Sequence, residues 1–138
     1  MNVAFFLKPK SEVIYLQESM PLAMALNEML RSGYTSVPVI NKEGIYVGAV
    51  SEGDFLCSLA QTDGVHLQLI PVPDAEGKRV RDILRPDRNP SARIDEPVET
   101  LVSRTTGQNF VPIVDDRGVF IGIVTRRNVI RYFLEHLS

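Results

Sequence analysis

The chain has 138 residues, 44% apolar and 23% charged, with a formal charge of −2. That is one ordinary globular domain's worth of chain, and its charge argues against a general binder of nucleic acid or of an acidic membrane. A single cysteine, Cys57, excludes a disulfide framework within the chain and fits a reducing cytoplasm.

Read in chain order, Met1–Glu12 carries a short apolar stretch without the basic start or cleavage site of a signal peptide. No window reaches the roughly 20 apolar residues needed to cross a bilayer. Val13–Leu16 is a short β-prone run. Ser19 is expected to cap a helix that has Pro21 in its first turn, with Leu22, Ala25, Leu26, Met29 and Leu30 at helical spacing and Gly33 as a left-handed stop. Two strands follow, 37–40 and 45–50, across the turn Asn41-Lys42-Glu43-Gly44. Ser51 caps a last helix carrying Phe55, Leu56 and Leu59.

Residues 61–79 read as an exposed connection with two prolines. Val80–Leu84 turns helically and leads into the next part of the chain, much as Val3–Leu7 leads into the first. The order then repeats. Asp95 is expected to cap a helix with Pro97 in its first turn and Val98, Leu101 and Val102 buried. That helix reads about two residues shorter than its counterpart and poorer in helix formers near its end. A hairpin turns at Asp115-Asp116-Arg117-Gly118. The closing helix places Val129, Ile130, Phe133, Leu134 and Leu137 on one stripe.

The repetition is the chain's strongest signal. Residues 33–56 align with 107–130 without a gap, and Gly33/Gly107, Val37/Val111, Pro38/Pro112, Gly44/Gly118, Gly48/Gly122 and Val50/Val124 are identical. A repeated supersecondary unit with one open apolar face must bury it against its twin, so a two-repeat body with an internal pseudo-twofold axis is expected, with its cleft as the place of function. The boundaries drawn are 1–60 for repeat 1, 61–79 for the connection and 80–138 for repeat 2.

Chemistry concentrates in two strings, GAVSEGD (48–54) and GIVTRRN (122–128), each at a strand-to-helix junction. The glycine permits close approach of another backbone or a ligand. The helix start offers unpaired N–H groups suited to phosphate. Ser51 or Thr125 can cap that helix or meet a phosphate oxygen, while Asp54 or Asn128 can accept ribose hydroxyls. Arg126 and Arg127 add planar forks. Ordinary helix capping is the commoner role of either string taken alone; two copies in register, the second followed by an Arg pair, point toward a ligand site. The segments Tyr34-Thr35-Ser36 and Gln108-Asn109-Phe110 expose backbone groups that can read an adenine edge, with Tyr34, Val37 or Phe110 against its face; covering the core is the alternative role of the rings.

Other constellations fail. His66 and His136 have no metal-ligand spacing, no nucleophile motif is present, and Gly77-Lys78-Arg79 lacks the rest of a P-loop. The basic residues from Lys78 to Arg93, Arg85 and Arg88 among them, read as a solvated surface.

The paired strings resemble the two halves of a CBS pair, the tandem cystathionine-β-synthase-type module also called a Bateman module, and the resemblance covers nearly the whole chain outside 61–79. The chain is similar to stand-alone CBS-pair proteins of Gram-positive bacteria. The resemblance implies an α+β fold of two pseudo-twofold-related β-α-β-β-α repeats packed through their sheets. It implies a non-catalytic sensor of an adenosine-containing nucleotide (AMP, ADP, ATP, cyclic di-AMP or S-adenosylmethionine). It further implies a homodimer and an effector protein as partner, with no cofactor, metal, nucleic acid or membrane. Carried over residue by residue, site one joins Ile14, Tyr34, Thr35, Ser36 and Pro38 to Thr125, Arg126, Arg127 and Asn128. Site two joins Gln108, Asn109, Phe110 and Pro112 to Ser51 and Asp54. Asn128 departs from the acid commonest there, and Glu52-Gly53 stand where site one has its arginines, so site one is expected to be stronger for phosphorylated ligands. The alternative is a dimerisation or protein-interaction module with degenerate, empty clefts.

Overall fold

A computed structural model describes residues 3–62, 65–69 and 77–136. The chain divides into two compact units: Ile14–Lys42 with Val47–Arg88, and Met1–Val13 with Glu43–Tyr46 and Asn89–Ser138.

In the unit built mainly by repeat 1, β2 (Leu16–Gln17), β3 (Ser36–Ile40) and β4 (Tyr46–Ser51) form a sheet in the order β2-β3-β4, flanked by α1 (Leu22–Ser32) and α2 (Glu52–Leu59). Of the β-prone run only Leu16 reaches the sheet, joined by Gln17 just beyond it, in parallel register with Val39 and Ile40. Leu22, Ala25 and Met29 bury the inner face of α1 against Val37, Val39 and Phe55, while Leu30 stays 65% exposed. The stripe that seals this core is therefore narrower than the helical spacing of apolar residues suggests.

Ser19 does not cap α1. The N-cap is Pro21, without a side-chain bond, and the helix start is satisfied by main chain instead: Leu22 N–H donates to the Lys78 carbonyl at 3.0 Å, and Val80 N–H donates to that of Met20 at 3.0 Å. The chain just before repeat 2 thus runs beside the entry to α1. Gly33, at φ 75°, supplies the left-handed stop as expected.

The second unit carries β1 (Lys8–Pro9), β7 (Ala92–Arg93), β8 (Phe110–Val114) and β9 (Phe120–Thr125) in the order β1-β9-β8-β7, with α3 (Val98–Thr105) and α4 (Arg126–His136). Its core holds Val3, Phe6, Leu101, Val111, Ile113 and Val124. Asp95 is likewise no cap: Pro97 is the N-cap of α3, and Asp95 pairs with Arg93 at 3.0 Å. With 8 residues against the 11 of α1, α3 is shorter by three. It ends without a left-handed residue, at Thr106, and Gly107 and Gln108 N–H groups both fold back on the Arg104 carbonyl. On α4, Val129 is buried, but Ile130, Phe133 and Leu134 are 52%, 41% and 68% exposed; Leu137 lies outside the described residues.

The two leaders are short 3-10 turns, Val3–Phe5 and Val80–Asp82, and each packs in the unit whose sheet the other repeat builds. Val3 and Val80 are both fully buried. Lys8 and Pro9 pair antiparallel with Ile123 and Gly122, and Arg85 bridges Ala49 in the same sense. This is what Gly122 and Gly48 are for. A Cβ on Gly48 would sit 2.7 Å from the Arg85 carbonyl, and one on Gly122 would strike the Lys8 carbonyl and stand 2.8 Å from Leu7 Cδ1. Of the two readings of these glycines, backbone approach is the one observed.

The segment after α2 is not merely a connection. β5 (Ala60–Thr62) and β6 (Leu67–Leu69) form an antiparallel hairpin with Gln61 opposite Gln68. Pro71 and Pro73 lie outside the described residues.

Candidate functional site

Each repeat brings its pre-proline segment and its second helix start together by one main-chain bond. Glu52 N–H, the first of α2, donates to the Thr35 carbonyl at 3.0 Å; Arg126 N–H, the first of α4, donates to the Asn109 carbonyl at 3.0 Å. The bonds join equivalent residues of the two repeats. Both follow from antiparallel pairing: Phe110 lies opposite Thr125 in the β8–β9 ladder. A helix start so placed has its first orphan N–H satisfied and one further N–H, that of Asp54 or Asn128, taken by the capping side chain.

In repeat 1 the cap is reciprocal. Ser51 Oγ accepts from Asp54 N–H at 3.3 Å, and Asp54 Oδ2 accepts from Ser51 N–H at 2.8 Å. Asp54 is buried at 6% exposure. Its charge is met by two arginines of the segment that crosses Gly48: Arg88 forks onto both carboxylate oxygens, and Arg85 Nε stands 3.4 Å from Oδ1. A groove of about 490 Å³ opens beside them, lined among others by Asp54, Ser58, Leu84, Arg85 and Pro86. Of the pre-proline residues, Tyr34 is 39% exposed and Thr35 is exposed, whereas Val37 and Pro38 are buried. Of the two side chains expected to face a base here, Tyr34 is exposed and Val37 belongs to the core. Ser36 Oγ is buried without a hydrogen-bond partner among the described residues. Ile14 is half-buried and packs at the edge of the core.

In repeat 2, Thr125 Oγ1 accepts from Asn128 N–H at 3.1 Å and caps α4. Arg126 is not wholly free for a ligand, because its Nε donates to the Thr105 carbonyl at 2.8 Å, fastening α4 to the end of α3. Arg127 is exposed. Phe110 is 5% exposed, so its ring belongs to the core. Its carbonyl accepts from Gln108 Nε2 at 3.2 Å and from Asn89 Nδ2 at 3.0 Å. Pro112 is buried in β8, and Asn109 is exposed. Asn89, at φ 52°, also accepts from the Tyr46 hydroxyl at 2.7 Å. Asparagine is among the few non-glycine residues that tolerate this backbone. Burial pushes the Tyr46 phenol well up, so it stays a neutral donor, and its ring stacks on Phe120, the equivalent residue of repeat 2, at 6.3 Å.

Ser51, Asp54, Thr125 and Asn128 thus all stand at helix starts, as their spacing requires. The residues that sequence reasoning passed over are Arg85 and Arg88, grouped there with a solvated basic surface, and Asn89, which it did not single out. A signal existed: Leu84-Arg85-Pro86 copies Leu7-Lys8-Pro9, and both triplets cross the glycine of a helix-start string.

The repeat order, the glycine crossings and the paired helix starts define a protein class. The chain belongs to the CBS domain family, whose sequence model matches residues 6–61 and 80–135. It is 24% identical over 136 residues to cyclic di-AMP receptor B of Bacillus subtilis, spanning 99% of this chain and 88% of that protein. It is 31% identical over 123 residues to the A-adding tRNA nucleotidyltransferase of Aquifex aeolicus, but spans only 13% of that protein's length. The structure of CBSX2 of Arabidopsis thaliana in complex with AMP is similar at a TM-score of 0.76 and 26% identity, over 99% of this chain and 98% of that one. The α+β CBS-pair fold and the likeness to stand-alone CBS-pair proteins of Gram-positive bacteria are thereby established. No helix among the described residues is long and apolar enough to cross a membrane.

Proposed function

We propose that the chain is a non-catalytic regulatory module that senses an adenosine-containing nucleotide, AMP or cyclic di-AMP being the leading candidates. The observation that carries this is the equivalent bond in each repeat, Thr35 to Glu52 and Asn109 to Arg126, which sets an exposed pre-proline backbone beside a capped helix start. Such a start offers partial positive charge to phosphate, and Asp54 or Asn128 offers acceptors to ribose. The reading is further supported by two relatives named for such ligands, cyclic di-AMP receptor B and CBSX2 in complex with AMP. The binding residues proposed are those the family resemblance implies: Ile14, Tyr34, Thr35, Ser36 and Pro38 with Thr125, Arg126, Arg127 and Asn128, and Gln108, Asn109, Phe110 and Pro112 with Ser51 and Asp54. Phe110 and Pro112 contribute main chain rather than side-chain surface, since both are buried.

Ligand occupancy would bias the affinity for a partner protein by on the order of 1–3 kcal/mol, the usual coupling between linked sites. Homodimerisation through α4 belongs to the same proposal. Ile130, Phe133 and Leu134 leave an apolar face of that helix at the surface, which also favours the second reading, an interaction module whose clefts stay empty. Calorimetric titration with adenosine, AMP, ADP, ATP, cyclic di-AMP and S-adenosylmethionine separates the two. Saturable binding by at least one phosphorylated member is expected, and Arg127→Ala should weaken it far more than it weakens adenosine. Failure of the whole panel to saturate would leave the interaction module standing alone.

A further inference from the structure

The carboxylate of Asp54 is already engaged on both oxygens. A carboxylate presents about four lone-pair directions. Three hydrogen bonds reach this one: from Ser51 N–H at 2.8 Å and one Arg88 N–H on Oδ2, and from a second Arg88 N–H at 3.3 Å on Oδ1, while Arg85 Nε adds an ion-pair contact 3.4 Å from Oδ1. With its side chain 5% exposed, water has little access to it either. A ribose hydroxyl that takes Asp54 as acceptor therefore competes with these arginines for it. Ser51 N–H cannot leave without uncapping α2. The arginines can: their side chains are 34% and 59% exposed, and they hang from a backbone that is itself fixed, Arg85 exchanging bonds of 3.2 and 3.3 Å with Ala49.

We propose that Arg85 and Arg88 set the ligand class of this half-site: they hold Asp54 closed to neutral nucleosides and admit nucleotides. Adenosine must break a charge-assisted fork and leaves a guanidinium without its carboxylate, a costly exchange. A nucleotide breaks the same fork but returns an anion, because the displaced guanidinium can turn to its phosphate within the adjoining groove. Arg suits this exchange better than Lys, since its planar fork matches carboxylate and phosphate alike. The half-site of repeat 2 has no such lock. Asn128 carries no charge, and the residues at the places of Arg85 and Arg88, counted along the copied leaders, are Lys8 and Ser11. Repeat 1, which has no arginine beside its own helix start, thus draws its phosphate-binding charge from the chain that crosses Gly48.

The inference rests on the nucleotide-binding reading, and the test keeps the two apart. Adenosine and AMP are titrated by calorimetry into the wild type, Arg88→Ala, the double variant Arg85→Ala/Arg88→Ala, and Arg88→Lys, each checked for a wild-type melting profile. The lock predicts opposite movements: adenosine binds more tightly once the arginines are gone, AMP binds more weakly, and their affinity ratio collapses by on the order of tenfold or more. Arg88→Lys, which keeps a cation without the fork, should fall between and guards against misfolding of the alanine variants. Wild-type AMP binding with an unchanged ratio across the series overturns the lock and leaves the nucleotide reading intact. If no variant binds either ligand, the nucleotide reading fails and the lock goes with it.

Discussion

Ser51 and Ser19 show how much a residue's setting decides. Both precede a helix at capping distance in the sequence, yet only Ser51 caps, and the first N–H of α1, that of Leu22, is met by the Lys78 carbonyl. Replacing Ser51 by Ala should cost about 1 kcal/mol, the usual worth of an N-cap. Ser19→Ala and Asp95→Ala should each stay within about 0.5 kcal/mol of wild type, as surface changes do. Denaturant midpoints at unchanged slope read all three, and an equal loss in each would contradict the assignment of caps. Asp115 is a second case. Its carboxylate accepts from Arg117 and Val119 N–H groups at 2.8 and 2.9 Å, and these bonds, Val119 foremost, hold it below its ordinary 3.8. A carboxyl lowered in the folded state contributes stability that is complete above its unfolded value and lost as pH falls through the folded one. Asp115→Asn should therefore be less stable than wild type at neutral pH, with the difference closing below about pH 4. A melting-temperature difference that stays constant with pH would contradict this. At Asn41, the equivalent place in repeat 1, no such titration exists.

At the scale of elements, the crossings over Gly48 and Gly122 carry the architecture. Gly48→Ala and Gly122→Ala should each destabilise by roughly 1–3 kcal/mol or more, since the added methyl meets backbone as well as a leucine side chain. Gly53 lies inside α2 with only ordinary contact to Ser51 Oγ at 3.6 Å, so Gly53→Ala should be neutral or stabilising by about 0.5–1 kcal/mol. Equal losses at all three would argue against the crossings. The leader offers a larger test. Deleting residues 1–9 removes fully buried Val3, the Phe6 side chain and the β1 edge strand. Hydrogen exchange should then quicken in β8 and β9, the sheet that β1 joins, before it does in β3 and β4. The reverse order would show that the leader belongs with repeat 1. Chain order alone cannot reveal this partnership, because a leader of a few residues carries a hydrophobic pattern but no address. The strands and helices of each repeat were legible because glycine, proline and apolar spacing are local signals. The Ala60–Leu69 hairpin was passed over although Asp63-Gly64 between its strands is a hairpin signal, because strands of three residues, AQT and LQL, carry too little apolar alternation to mark them.

For the molecule as a whole, duplication made the fold and the two helix-start strings legible before any coordinates. What stayed hidden was the fate of the charges. Arg85 and Arg88 lie 31 and 34 residues from Asp54 in the chain, and only the crossing at Gly48 brings them to its carboxylate. Phe110 was equally opaque: its aromatic ring suits a base or a core, and burial decides for the core. The proposed function requires that the capped helix starts of the repeats receive a nucleotide. Crystals grown with AMP or cyclic di-AMP test it most directly. The account predicts density for an adenosine moiety against Ser51–Asp54 or Thr125–Asn128, with ribose oxygens within hydrogen-bond reach of Asp54 or Asn128. Density seated elsewhere, such as on the apolar face of α4, or no ligand density from a protein that crystallises at saturating ligand, would contradict it.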